Sequence, residues 1–243
     1  MGVPTSGLVG TQTEATGPIT VAWPTHTTDD IGLLCVQHDA SVSGDLTTPR
    51  GFTFLAWSSG VGTGTNQTAS TMWWCRATSS SMASPVVADN GDHNIGCIIT
   101  FKGCKTTGDP YDTDVQHTFG SSTTAVSIAC PTTTQTDTMN VTLVGGAGLN
   151  NAAIKNFGTA TAANGTLTNF KLDIDTGSTI NNYGGAFSIC HGSLATIGSM
   201  GTISGTTNGT TYKSWVSIAL LSTTSTASSG ITSNGNFFRL FGR

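Results

Sequence analysis

Ile19-Thr-Val-Ala-Trp-Pro-Thr25 and Val126-Ser-Ile-Ala-Cys-Pro-Thr132 are two copies of one pattern: aliphatic, hydroxyl, β-branched, Ala, variable, Pro, Thr. Alternation sends Ile19, Val21 and Trp23, and likewise Val126, Ile128 and Cys130, to one face of a strand. The proline that follows has no backbone donor and ends the strand. Written twice, the heptapeptide reads as the first strand of a module that occurs twice.

Scanning outward from each copy gives the same series of short apolar runs. In the first half they fall at 18–23, 31–38, 52–57, 70–78 and 93–102, and in the second at 124–130, 138–144, 167–175, 184–191 and 212–222. The opening strands are 107 residues apart, Leu33 and Val141 are 108 apart, and Phe101 and Leu220 are 119 apart, the excess lying in loops. The expected fold is therefore all-β: an antiparallel, jelly-roll-like β-sandwich of two duplicated five-strand modules, at 18–122 and 123–222. Residues 1–17 and 223–243 flank them as an N-terminal arm and a C-terminal tail.

Composition agrees. Only 9% of the 243 residues are charged, against roughly 25% in an ordinary globular protein. Thirty-one glycines, with abundant Ser and Thr, fill that space, so helix formers are scarce while strand and turn formers abound. Long Gly/Ser/Thr/Asn stretches such as SSGVGTGTNQTAST (58–71) and GTATAANGT (158–166) read as loops that neighbours in an assembly would order.

A net charge of −4 gives no basic field, which argues against nucleic acid as a partner. No run approaches the 18 or so apolar residues that span a bilayer, and the first residues have neither the basic nor the apolar part of a secretory signal. Ser6 completes a formal myristoylation pattern after Gly2, and Asn66 and Asn208 head glycosylation sequons that have no meaning without secretion. Five of the six cysteines (Cys35, Cys75, Cys97, Cys104, Cys130, Cys190) sit in strand-like runs, the pattern of buried free thiols rather than a disulfide framework.

Sites of chemistry are weighed against plainer readings. Cys35 and His38 have zinc-like spacing, but positions three apart on a strand face opposite ways, and adjacent Cys190 and His191 do the same. Asp109, Asp112 and Asp114 gather on one turn as calcium ligands do, yet aspartates on turns more often cap backbone amides. Asp173 and Asp175 alternate along a strand with Leu172 and Ile174 opposite, the pattern of a solvated face rather than a hydrolase pair. Ser58 and Ser193 have no base and orienter arrangement, and no nucleophile elbow, phosphate loop, dinucleotide fingerprint or zinc-protease motif is present. The expectation is a chain that is not an enzyme and uses no metal or cofactor.

Candidate interface residues are aromatic. Trp73 and Trp74 put one indole on each face of their strand, one for the core and one for a seam or interface. The tail is polar until Phe237, Phe238, Leu240 and Phe241; four large apolar groups there need a docking place, on a partner or on the chain's own domain.

The runs TDDIGLLCV (28–36), GFTFLAW (51–57), MWWCRATSS (72–80) and GDHNIGCIITFKGCKTTGDPYD (91–112) resemble a group of tailed-bacteriophage virion structural proteins. The resemblance is best over 28–114 and weaker beyond, where WVSIALL (215–221) still fits. It brings no site residues. It implies a virion protein made in the host cytoplasm, most simply a capsid decoration or cement protein. Its partners would be the major capsid protein or other virion proteins, and it would form homo-oligomers such as trimers, with no membrane or nucleic-acid contact. A tail, fibre or baseplate component is the alternative. A carbohydrate-binding module using Trp57 or one of Trp73 and Trp74 is the alternative of another class.

Overall fold

The computed structural model describes residues 2–38, 46–58, 67–89, 93–147, 163–178 and 185–224. They form fifteen strands and no helix: β1 (Thr5–Val9), β2 (Thr13–Ala15), β3 (Ile19–Thr20), β4 (Ile31–His38), β5 (Thr53–Ser58), β6 (Ala69–Arg76), β7 (Val86–Val87), β8 (Asn94–Lys102), β9 (Gln116–Ala129), β10 (Thr132–Thr133), β11 (Thr138–Gly146), β12 (Thr168–Gly177), β13 (Ala186–Leu194), β14 (Gly198–Ser199) and β15 (Thr202–Leu221). The fold is an all-β antiparallel sandwich.

Each half of the chain contributes one sheet. The first runs β1-β8-β4-β6-β5, with β2 also on β8, and the second runs β9-β15-β11-β13-β12. Read in these directions the two orders match strand for strand. Register matches too. Ile31 pairs with Phe101 where Met139 pairs with Leu220, and Leu33 pairs with Trp74 where Val141 pairs with His191. Even the irregularities repeat. A bulge interrupts β5 between Phe54 and Ala56 and β12 between Leu172 and Ile174, and a left-handed residue stands at matching places, Gly51 (φ 85°) just before β5 and Asn169 (φ 51°) at the start of β12.

The two sheets stack face to face, so the sandwich is built between the modules and not within each. Their shared layer holds Leu33, Cys97, Ile99 and Phe101 from one sheet and Val141, Phe187, Ile218 and Leu220 from the other. Each such aliphatic or phenyl side chain, withdrawn from water, is worth roughly 1.5–3 kcal/mol. Where Gly145 faces Gln37 and Ser70 the sheets come so close that a Cβ would stand 2.5 Å from Gln37 Cγ. Ser70 Oγ lies 2.8 Å from Ser214 Oγ and Gln37 Nε2 donates to Thr68 Oγ1 at 3.0 Å, while Gln37 Oε1 is buried with no hydrogen-bond partner among the described residues.

The repeated heptapeptide lies outside this layer. Ile19 and Val21 pack on the outer face of the first sheet with Leu34, Val36 and Trp73, and Val126, Ile128 and Cys130 pack on the outer face of the second with Cys190, Ile203 and Trp215. β3 pairs with β7 as the C-terminal part of β9 pairs with the N-terminal part of β15. Each module therefore has an inner core shared with its twin and an outer core of its own.

Two segments differ from the sequence expectation. The stretch 1–17 carries β1 and β2, both hydrogen-bonded to β8, so it belongs to the first sheet and is not a free arm. TSGLV has no apolar alternation, because β1 is an edge strand that covers little core. The expected boundary at 122/123 falls inside β9, whose 14 residues pair along a 20-residue β15 with register shifts between Thr206 and Lys213.

Candidate interaction site

The Asp-rich turn between the modules is a clip. Asp112 accepts from the Thr134 amide (2.7 Å), the Thr113 amide (2.8 Å) and the Thr133 and Thr134 hydroxyls (3.0 Å each), while Asp114 accepts from the Thr132 amide and from Gln116 Nε2. The connection is thus tied to the strand end that follows the second heptapeptide. Burial pushes the Asp112 carboxyl up, but the amide and hydroxyl donors outweigh it and leave it below the usual carboxylate range. Asp109 is exposed. Among the described residues no group of three or more His, Cys, Asp or Glu side chains gathers as metal ligands.

Asp173 and Asp175 do not share a solvated face. Asp173 is the extra residue of the β12 bulge, and the bulge shifts the alternation, so Leu172 packs on the outer core while Ile174 packs on the inner one. The Asp173 side chain is 1% exposed and is hydrogen-bonded to His191 Nδ1 in a short contact, with Lys171 Nζ 3.0 Å from its other oxygen in an orientation that makes no hydrogen bond. Asp175 instead accepts from Ser188 Oγ at 2.9 Å. The equivalents of Asp173 and His191 in the first module are Leu55 and Trp74, an apolar pair on the same inner layer. The His191 ring meets Phe101 edge-on, with centroids 6.3 Å apart.

Nothing in the sequence pattern pointed to this pair, since residues 18 apart on neighbouring strands meet only once register is known. Lys213 was equally silent. It is 2% exposed, donates to the Thr123 and Thr211 carbonyls, and burial lowers its pKa.

All six cysteines are buried and free. Burial raises their thiols, Cys130 to about 11, Cys104 to about 12, and Cys35, Cys97 and Cys190 well above the ordinary value, so they stay protonated and poorly nucleophilic. Cys35 sits in the inner core while His38 bonds Thr71 Oγ1 at 3.1 Å, so the zinc-like spacing brings no convergence.

Of the aromatic candidates, Trp73 is fully buried in the outer core of the first sheet, and Trp74 is half-buried at the edge of the inner layer. Phe237, Phe238, Leu240 and Phe241 lie outside the described residues. The surface that gathers apolar groups is instead the seam between β5 and β9, the terminal strands of the two sheets. Phe54, Leu55, Trp57, Val115, His117 and Phe119 line two adjoining clefts of about 250 and 180 Å³ there, with Phe54 37% and Phe119 49% exposed. Ser58 Oγ donates to the Thr118 carbonyl and holds the two strand ends together.

Comparison with family models, with curated proteins and with solved structures finds no match. The functional reading rests on the residues alone. Among the described residues, the β5–β9 seam joins exposed aromatic groups to two strands that have no described neighbour on one side.

Proposed function

We propose that the protein is a structural, non-enzymatic component of a bacteriophage virion, a decoration or cement protein of the head shell. The observation that carries this reading is the β5–β9 seam: two terminal strands, side by side, with Phe54 and Phe119 exposed and Trp57 between them. Uncovered strand edges beside aromatic side chains invite pairing with another chain. In a shell, that other chain is the major capsid protein or a second copy arranged about a lattice axis. Covering the seam then stabilises only the assembled state. Low charge and long Gly/Ser/Thr loops fit a surface whose purpose is to lie against neighbours.

Cryo-electron microscopy of intact particles tests the proposal directly. Density for the sandwich on the head surface, lost or thinned when Phe54→Lys and Phe119→Lys are combined, is the expected result. Density on the tail moves the protein to a fibre or baseplate role, and absence from particles removes the virion reading. Trp57 beside His117 and Phe119 also supports a second reading, stacking of a host sugar ring on the indole. Glycan-array binding that disappears with Trp57→Ala is its signature.

A further inference from the structure

The outer faces of the two sheets carry the same cleft position, and only one of the two is filled. In the second module Met200 is fully buried, and it closes over the sheet with Leu167, Phe170 and Cys130. Gly192 makes room for them: a Cβ there would stand 2.8 Å from Leu167 and 3.3 Å from Phe170. The repeat offsets match Met200 to Met82, Phe170 to Phe52 and Cys130 to Trp23. In the first module these residues surround an open cleft of about 600 Å³, within the range of small-molecule sites.

The cleft is built. Its apolar lining includes Trp23, Phe52, Cys75, Met82 and Val86, and among the described residues its one charged lining side chain is Arg50. The indole of Trp23 is fixed by Phe52 (centroids 5.6 Å apart), by His26 (4.7 Å) and by the bare backbone of Gly32, where a Cβ would collide with the ring at 2.3 Å. Arg50 is exposed and has no ion pair among the described residues. Thr168 stands at its position in the filled module, so the cation occurs only where the cleft is open.

We propose that this cleft binds a small anionic amphiphile, with an aromatic or branched apolar body against Trp23 and Phe52 and one carboxylate or sulfonate on Arg50. A guanidinium fork matches such an oxyanion in two parallel hydrogen bonds, and among the described residues no lining carboxylate competes for it. The apolar end of the chain's own tail is a poorer occupant, because Arg239 and Arg243 flank its phenyl rings with charge of the same sign as Arg50.

The test is fluorescence titration of the full chain with 8-anilinonaphthalene-1-sulfonate and with its uncharged counterpart N-phenyl-1-naphthylamine. One saturable site is expected for the sulfonate. Arg50→Gln weakens it about tenfold, the loss of one charge-assisted pair, and leaves the uncharged dye unaffected. Ala83→Trp, at an exposed lining position, abolishes binding of both dyes while the urea midpoint stays put. Ser84→Phe at the neighbouring exposed position gives the same reading should the first variant unfold. Sulfonate binding that survives both fillings, equal loss of both dyes in Arg50→Gln, or no saturable site would overturn the proposal. So would a peptide of residues 234–243 that displaces the sulfonate at lower concentration than the unlabelled dye body does.

Discussion

Replacing the Asp173–His191 pair with the chemistry of its counterpart, Leu55–Trp74, tests whether this part of the inner layer depends on charge. The variants are Asp173→Leu, His191→Phe and the two together; phenylalanine keeps the edge-on contact with Phe101. His191→Phe leaves a carboxylate whose side chain is 1% exposed. The remaining ion pair is with Lys171, which is 63% exposed, and an ion pair of that kind is worth at most about 1 kcal/mol. Stranding a buried charge costs about 3–5 kcal/mol, so this variant loses about 3 kcal/mol. Asp173→Leu takes a buried hydrogen-bond partner from the imidazole and loses about 2 kcal/mol. The double variant removes both polar groups from a layer that already accepts Leu and Trp at the matching places, and stays within about 1 kcal/mol of the parent. Urea unfolding at neutral pH, followed by tryptophan fluorescence, gives the four free energies and a coupling of about 4 kcal/mol. If the two single losses simply add in the double variant, the pair is not a coupled unit and its equivalence with Leu55–Trp74 carries no energetic meaning.

Further expectations concern the clip, the sheet contact and the tail. Asp112 has a carboxyl held below its ordinary range in the folded chain, so its contribution is complete above the ordinary carboxylate pKa and is lost as pH falls through the folded value. Asp112→Asn should lower the urea midpoint by the equivalent of about 2 kcal/mol at pH 7, and the gap between parent and variant should begin to narrow only as pH falls below the ordinary carboxylate pKa of about 4; a gap that widens on acidification contradicts the clip. Gly145→Ala should cost about 2 kcal/mol by forcing a methyl against Gln37 and Ser70, whereas Gly17→Ala, with nothing within 4 Å, should be silent in the same thermal melt. Removing residues 225–243 should leave the melting temperature unchanged and reduce occupancy on particles measured by quantitative gel densitometry; full occupancy would show that the tail is not an anchor.

Much of this architecture is legible in the residues. β4 is expected at 31–38 and found at Ile31–His38, and β11 begins at Thr138 as expected, because strands covered on both faces are near-continuous apolar runs bounded by turns. The repeated heptapeptide and the strand spacing together carried the duplication, and the pairing register of both sheets reproduces the 108 and 119 offsets. The face reading at 172–175 fails for a local reason. Period-two reasoning cannot see one extra residue, and the bulge at Asp173 turned a solvated carboxylate into a buried one. β1 is missed because an edge strand needs hydrogen bonds but little apolar surface.

Composition and periodicity by themselves determined that this chain is a twice-written set of antiparallel strands, since strand propensity and side-chain alternation are properties of short segments. Tertiary structure alone decided that the two sheets share one inner core, that the heptapeptides lie in the outer ones, and that Met200 fills in the second module the place left open around Met82 in the first. These depend on which faces meet across space, and two near-identical modules offer each face a nearly equal claim until packing volumes at positions such as Gly145, Gly192 and Trp23 break the tie.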